Sequence, residues 1–359
     1  MAQFAIAGRA IGLGEAPYVI AEAGVNHNGS PDMAIRLVDA AADAGADAVK
    51  FQTFRAGSLA TADAPQAAYQ RERAAADSQQ DMLRGLELPP EGLKAAFARA
   101  AERGIAAFST PFDLESADLL LSLGVPALKI GSGDLTNLFL LRKVASSGLP
   151  VILSTGMSTT VEVDHAVSAL RASGDPPLAL LHCLSAYPAP PNETNLRAIG
   201  SMRERYGVEV GFSDHTVGLA APVAAVALGA SIVEKHLTLD RALPGPDQAA
   251  STEPDDFGAL VRDLREAHAA LGDGVKEPQP AEADTRLVAR RSLVLRHATP
   301  AGTTLTLDDL DAKRPGEGIS PLRLDEVVGR RLVREGDADG MIRPDDLDPP
   351  LESTGGSGA

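Results

Sequence analysis

Short apolar runs alternate with longer amphipathic stretches rich in Ala and Leu, from residue 18 to about residue 271. The runs are almost continuously hydrophobic, which is typical of parallel strands covered by helices. The candidate strands are Tyr18–Glu22, Ala46–Phe51, Ile105–Ser109, Ala127–Ile130, Pro150–Ser154, Leu178–Cys183, Val208–Phe212 and Ser231–His236. The helices that follow them begin near Pro31, Pro90, Leu114, Asn137, Thr159, Asn195, Gly218 and Pro254. Eight strand–helix repeats predict an α/β protein with a (β/α)8 TIM barrel.

The spacing of these elements also predicts where the domains divide. Residues 1–271 are expected to form the barrel, and the long connection after its second strand contains Pro65–Leu86, which could form an extra helix or a lid. Residues 272–284 are polar, contain proline and lack periodicity, as linkers do. Residues 285–347 predict a small β-rich domain, and residues 348–359 a disordered tail.

Composition and charge exclude several classes of function. The net charge of −16 argues against nucleic acid as a partner, because phosphate backbones are bound by basic surfaces. Cys183 is the only cysteine, so the chain has no intramolecular disulfide or Cys-based metal cluster; we interpret Cys183 as a small buried hydrophobe. No apolar run reaches the roughly 18 residues of a membrane span, and the first residues do not resemble a signal peptide. We therefore expect a cytoplasmic protein without membrane contact.

Polar residues cluster where the predicted strands end, which is the catalytic end of a barrel. Lys50 and Lys129 follow apolar residues on two different strands, and a lysine in such a position is costly unless an anion lies beside it. Hydroxyl donors at the same rim are Thr110, Ser132, Ser154 and Ser213. The pattern predicts a cradle for a phosphate or a carboxylate.

Two histidines end neighbouring strands of the predicted barrel. His215 and His236 could share one divalent ion and leave coordination positions open for water and substrate. Glu22, at the end of the first strand, could be a metal partner, a base or a ligand of sugar hydroxyls. A structural salt bridge between Glu22 and Lys50 is the alternative.

Ten motifs resemble the sialic acid synthase family in order and spacing, from about Tyr18 to Val328: VIAEAGVNHNGS, AGADAVKFQTF, FSTPFDLES, LKIGSGDLTN, VILSTGMS, HCLSAYPAP, GFSDHTVG, EKHLTLDRALPGPDQAASTEP, RRSLV and KRPGEGISP. The resemblance implies a barrel followed by a small antifreeze-protein-like (SAF) domain. It also implies a homodimer in which the small domain of one subunit closes the barrel of the other.

The resemblance further assigns expected roles to individual residues. His215 and His236 would hold a divalent ion, commonly Mn²⁺, with Mg²⁺ or Co²⁺ as alternatives. The residues around phosphoenolpyruvate would be Lys50, Thr110, Lys129, Ser132, Ser154, Ser185 and Ser213. Those around the sugar would be Gln52, Asp134, Tyr187 and Asp247, with Glu22 beside the reacting centre. Arg314 would reach the acylamino group of the sugar from the partner subunit.

The implied reaction condenses phosphoenolpyruvate with an N-acylated amino-hexose aldehyde of the N-acetylmannosamine type, giving a nonulosonic acid and phosphate by C–O cleavage. Some residues depart from the family pattern: Gln248 stands where many members have His, Asp134 where Glu is frequent, and HCLSAYP where members read HCTSEYP. These departures leave the sugar open. The alternatives are a legionaminate- or pseudaminate-type synthase that uses a 2,4-diacetamido-trideoxyhexose and, more remotely, a non-catalytic sugar-binding or scaffold barrel.

Overall fold

The computed structural model describes residues 4–65 and 78–352. The chain divides into two units, Met1–Asp273 and Gly274–Ala359. The first unit contains the strand–helix alternation, and the second contains the remaining short strands.

The first unit is a closed parallel barrel. It is preceded by an antiparallel hairpin of β1 (Phe4–Ile6) and β2 (Arg9–Ile11). The barrel strands are β3 (Tyr18–Gly24), β4 (Ala48–Thr53), β5 (Ala106–Pro111), β6 (Leu128–Ile130), β7 (Val151–Ser154), β8 (Leu178–Cys183), β9 (Glu209–Asp214) and β10 (Ile232–His236). Each pairs in parallel with the next along the chain, and β10 pairs with β3. The predicted (β/α)8 barrel is therefore confirmed.

Helices follow the strands in the expected order. They are α1 (Pro31–Asp43), α2 (Ala56–Leu59), α3 (Gln79–Arg84), α4 (Pro90–Arg103), α5 (Leu114–Ser122), α6 (Leu138–Ala145), α7 (Thr160–Ala172), α8 (Ala198–Tyr206), α9 (Ala220–Ala227) and α10 (Pro254–Leu271). Helix α7 begins with a capping box between Thr159 and Glu162, and α4 ends at Gly104, whose φ of 73° suits glycine. In the described part of the chain, no helix is both long enough and apolar enough to cross a membrane.

The long connection after β4 holds α2 and α3. Helix α3 lies within Pro65–Leu86, where the sequence indicated an extra helix or lid. Part of that prediction, residues 66–77, lies outside the described residues.

The hairpin of β1 and β2 lies at the amino-terminal end of the barrel. The guanidinium of Arg9 forms an ion pair with Asp47, which precedes β4, and lies 5.1 Å from the centre of the Tyr18 ring. Ile6 and Ile11 are buried in the same core as the barrel strands. The carboxyl ends of the strands, at the other end of the barrel, remain available for chemistry.

The second unit has its own hydrophobic core. Its elements are α11 (Ala283–Ala289), β11 (Ser292–Leu295), β12 (Leu310–Lys313), α12 (Leu324–Val327), β13 (Arg331–Leu332) and β14 (Leu347–Asp348). Helix α11 starts inside the segment expected to be a linker. The boundary predicted for the disordered tail, residue 348, is too early in the chain, because Asp348 belongs to β14 and Leu351 is buried in the core of this unit. Residues 353–359 lie outside the described residues.

Candidate active site

A cavity of about 570 Å³ opens where the carboxyl ends of the barrel strands meet. Side chains at a spacing of two residues along a strand point to the same face, so the inward-facing residues of several strands share this space. The lining includes Glu22, Lys50, Lys129, His215 and His236. Residues far apart in the sequence, which were predicted to meet at one rim, therefore do meet; their roles stay predictions.

The two lysines are almost fully buried in the cavity wall. Lys50 Nζ donates to Thr110 Oγ1 at 3.0 Å, and Lys129 Nζ donates to Ser154 Oγ at 2.6 Å. Burial lowers the pKa of Lys129. Burial also opposes the charge of Lys50, but the carboxylates of Glu22 and Glu234 outweigh it and raise the pKa of Lys50. Hydroxyl contacts and buried positive charge are what an anionic ligand requires.

Glu234 connects the two lysines, and no role was predicted for it from the sequence. Its Oε1 accepts from Ser213 Oγ at 2.9 Å and lies 3.7 Å from Lys129 Nζ, while its Oε2 lies 3.5 Å from Lys50 Nζ. Burial opposes its ionisation, but Lys129 and Lys50 lower the pKa of Glu234 to about 2. A signal was present in the sequence, because Glu234 is two residues before His236 and therefore shares its face of β10.

Glu22 forms a salt bridge with Lys50, which was the structural alternative to a role in metal binding or chemistry. Its Oε2 lies 2.7 Å from Lys50 Nζ, and its Oε1 accepts from Gln52 Nε2 at 3.0 Å. Burial, together with the charge of Glu234, raises the pKa of Glu22 in spite of Lys50. A carboxyl group that protonates more readily than usual can also exchange a proton with a substrate, so the salt bridge does not exclude a role in chemistry.

The imidazole rings of His215 and His236 lie side by side, with centroids 5.3 Å apart. His215 Nδ1 contacts the carbonyl of Leu184 at 2.8 Å, which leaves its Nε2 for another partner. Among the described residues, Nδ1 of His236 has no hydrogen-bond partner. Burial and the charge of His215 hold the pKa of His236 well below its ordinary value, so this ring is neutral.

The neutral ring of His236 and the Nε2 left open on His215 fit a divalent ion, which binds neutral imidazole nitrogens. Burial opposes the charge of His215, but Cys183 raises its pKa, so His215 would release a proton when an ion binds. Within the described residues, His, Cys, Asp and Glu side chains form no group of three or more that could hold an ion. An ion at the two histidines would therefore take its other ligands from water and substrate. The described residues do not support Glu22 as a third metal ligand.

Three of the predicted sugar contacts line the cavity, namely Gln52, Tyr187 and Asp247. The ring of Tyr187 is 4.2 Å from that of His215, centroid to centroid, and burial raises the pKa of Asp247 to about 6. Asp134 is absent from the cavity lining formed by the described residues, and its carboxylate accepts from Asn137 Nδ2 at 2.9 Å. Arg314 is exposed and follows β12 in the second unit.

Gly156 brings the backbone after β7 against two serines that were expected around phosphoenolpyruvate. Its N–H donates to Ser132 Oγ at 3.0 Å. A Cβ at this position would lie 2.3 Å from Ser185 Oγ and 2.8 Å from Ser132 Oγ. Only glycine therefore allows the backbone N–H and the two hydroxyls to occupy this corner together.

One side of the cavity is apolar. We call it the apolar wall; it consists of Val25, Phe54, Leu59, Met82, Leu83 and Leu86. Leu59 belongs to α2, while Met82 and Leu83 belong to α3. The insertion after β4 therefore contributes directly to the site, as its unusual length suggested.

Two other residues near the rim differ in their relation to the cavity. His182 faces away from it, and its Nε2 lies 2.6 Å from the carbonyl of Thr194. Cys183 lines the cavity with its Sγ 3.8 Å from His215 Nδ1. Burial would raise the pKa of the Cys183 thiol, but His215 and Lys129 lower it. Cys183 is buried as expected, in surroundings more polar than those of an ordinary hydrophobe.

Gln248, where many members of the family have His, is fully buried beside the cavity. Its Nε2 donates to the carbonyl of Asn26 at 2.9 Å, and its Oε1 accepts from the hydroxyl of Thr238. The substitution therefore has a structural role, because it joins the loop after β3 to the loop after β10.

A closed parallel barrel whose rim gathers buried lysines, carboxylates and a neutral imidazole defines an enzyme that acts on an anionic substrate. The NeuB family matches residues 37–276, and the SAF domain matches residues 290–348. The chain belongs to the NeuB family and carries a SAF domain, as the motifs predicted.

Individual relatives agree with this assignment. The N,N'-diacetyllegionaminic acid synthase of Campylobacter jejuni is 43% identical, over 90% of this chain and 98% of its own. That of Legionella pneumophila is 44% identical, over 88% of this chain and 90% of its own. Among solved structures, the N-acetylneuraminic acid synthetase of Leptospira borgpetersenii, in complex with citrate, is 35% identical with a TM-score of 0.70, covering 79% of this chain and 94% of its own. The chain is thus an enzyme of the nonulosonic acid synthase class.

Proposed function

We propose that the enzyme condenses phosphoenolpyruvate with an N-acylated amino-hexose aldehyde and releases a nonulosonic acid and phosphate. C3 of phosphoenolpyruvate attacks the aldehyde carbon, water adds at C2, and phosphate leaves with cleavage of the C2–O bond. The observation that carries this proposal is the meeting of Lys50, Lys129, His215 and His236 in one cavity.

The proposed roles of the residues follow from their charges. Lys50 and Lys129, with the hydroxyls of Thr110 and Ser154, neutralise the phosphate and carboxylate groups of phosphoenolpyruvate. Further hydroxyls around phosphoenolpyruvate come from Ser132, Ser185 and Ser213. Glu22, with its raised pKa, lies where it can exchange a proton with the aldehyde oxygen or with water.

His215 and His236 would hold a divalent ion, with manganese expected first and magnesium or cobalt as alternatives. When bound, such an ion supplies Lewis acidity to the aldehyde oxygen. Gln52, Tyr187 and Asp247 line the cavity and would hold the sugar in place.

The decisive experiment is phosphate release from phosphoenolpyruvate labelled with ¹⁸O at the bridging oxygen, with Mn²⁺ and a panel of amino-hexoses. Labelled phosphate and a nonulosonic acid seen by mass spectrometry are expected. Unlabelled phosphate would show P–O cleavage and contradict the proposed chemistry. Failure of every sugar in the panel to release phosphate would contradict the proposed function.

The apolar wall favours one group of sugars. A 2,4-diacetamido-trideoxyhexose carries a second acetamido methyl and a methyl at C6, where N-acetylmannosamine carries hydroxyls. Each buried methyl is worth about 0.8 kcal/mol, so two correspond to roughly tenfold in kcat/KM. The identity of 43% to a legionaminic acid synthase supports the same choice. Equal kcat/KM for the two sugars would remove the apolar wall as a determinant of specificity.

The proposed homodimer exchanges its small domains, so that Arg314 of one subunit completes the barrel of the other. This exchange is tested by mixing Lys50→Ala subunits with Arg314→Ala subunits, each of which is expected to be inactive by itself. In an exchanged heterodimer one of the two sites has neither substitution, so random mixing should restore about a quarter of wild-type activity. If Arg314 acts within its own chain, mixing restores nothing. The cytoplasmic location expected from the sequence stays a prediction.

A further inference from the structure

A buried ion pair lies on the other face of the sheet from the two histidines. Lys235 and Asp214 are 3% and 1% exposed, and they are paired residues of β10 and β9. Lys235 directly precedes His236, and Asp214 directly precedes His215. Because successive side chains of a strand alternate between faces, the pair points away from the cavity while the imidazoles point into it.

The contacts of this pair enclose the backbone of His215. Lys235 Nζ forms an ion pair with Asp214 Oδ2 at 2.5 Å and donates to the carbonyl of Thr216 at 2.8 Å. Asp214 Oδ1 in turn accepts from the N–H of Thr216 at 2.9 Å. One ammonium group therefore holds the residue before His215 and the residue after it.

The two rings also contact other side chains, because Tyr187 lies 4.2 Å from the His215 ring and 5.8 Å from the His236 ring, centroid to centroid, and Cys183 Sγ lies 3.8 Å from His215 Nδ1. His215 is oriented by the carbonyl of Leu184, whereas the ring of His236 has Asp247 Oδ2 at 3.8 Å, which is longer than a hydrogen bond. None of these contacts replaces the backbone as the carrier of the rings: His236 ends β10 and His215 directly follows β9, so the separation of the rings also depends on the relative position of these two backbones. The ion pair is a direct side-chain link between those backbones next to both histidines.

We propose that Lys235 and Asp214 are positioning residues that set the separation of His215 and His236 and thereby the affinity of the site for a divalent ion. The part of this inference that concerns the ion rests on the proposed function. A buried ion pair is often dispensable for stability when both partners are replaced, so a purely structural role and a positioning role predict different results.

The test compares Lys235→Met, the double variant Lys235→Met/Asp214→Asn, and the surface control Lys143→Met, which removes the exposed ion pair with Asp118. The single variant leaves the carboxylate of Asp214 buried without its cation and should lower Tm. The double variant removes both charges and should regain most of that Tm. If the single variant does not fold, the double variant carries the test.

Titration of the metal-free proteins with Mn²⁺, followed by electron paramagnetic resonance of the free ion, should show a Kd raised at least about tenfold in both Lys235 variants and unchanged in the control. A double variant with restored Tm and wild-type Kd would overturn the proposal. Crystal structures of the metal-free proteins provide a second measurement, which should show a ring separation changed from 5.3 Å. If the wild type binds no Mn²⁺, the proposed metal site fails, and an unchanged ring separation in the double variant then overturns the positioning role separately.

Discussion

Replacement of Glu234 by glutamine should destabilise the barrel, and the size of the effect follows from the two ammonium groups beside the carboxylate. The carboxylate faces both buried ammonium groups, at 3.5 Å from Lys50 Nζ and 3.7 Å from Lys129 Nζ. Its pKa is lowered from 4.5 to about 2, which corresponds to about 3 kcal/mol of stability. Glutamine keeps the shape and can still bond Ser213, so the loss comes from the missing charge.

The pH dependence gives this prediction a definite sign. A carboxylate with a lowered pKa stabilises the folded state fully above its unfolded pKa of 4.5, and loses that contribution as the pH falls toward about 2. Urea denaturation at pH 7 should therefore show the full difference between wild type and Glu234→Gln. The difference should become smaller below about pH 4.5.

The matched control is Glu102→Gln, which removes an exposed carboxylate that bonds Arg99 within one helix. Its effect should stay within about 0.5 kcal/mol at every pH. A Glu234→Gln protein as stable as the wild type at pH 7 would refute the reasoning. So would a difference that does not change between pH 7 and pH 3.

Four further substitutions test other parts of the site. His215→Ala or His236→Ala should abolish Mn²⁺-stimulated phosphate release while circular dichroism stays unchanged, and full activity of either variant in chelator would remove the metal from the mechanism. Gly156→Ala would place a Cβ 2.3 Å from Ser185 Oγ, so kcat/KM for phosphoenolpyruvate should fall at least about tenfold; unchanged steady-state kinetics would mean that the hydroxyl is not needed. Leu83→Gln in the apolar wall should reduce the preference for a diacetamido-trideoxyhexose about fourfold, measured as a ratio of kcat/KM values.

The sequence was most informative at the strand ends. Continuous apolar runs fix the strands, and the rules of parallel barrels fix which end carries polar groups. These two facts were enough to bring Lys50, Lys129, His215 and His236 to one rim. The ring separation and the hydrogen bonds depend on register and rotamers, which a single sequence does not specify.

The misses have physical reasons as well. Glu234 and Lys235 are adjacent and both charged, and only counting the strand period from His236 separates the one that faces the cavity from the one that does not. The sugar contact expected of Asp134 stays a prediction; this residue lies in a 3-10 turn, where no simple periodicity gives the direction of a side chain. Leu351 is a single apolar residue among prolines and polar residues, so its burial leaves no pattern in the sequence.

The apolar wall and the charged groups come from different parts of the chain. The lysines, the imidazoles and the carboxylates of Glu22 and Glu234 lie on the barrel strands or directly after them, whereas five of the six wall residues lie between β4 and α4. Under the proposed function, natural variation or engineering of that segment would alter the preferred acceptor while the groups that make and break bonds stay the same. Homologues with different products would then be expected to diverge most in this segment.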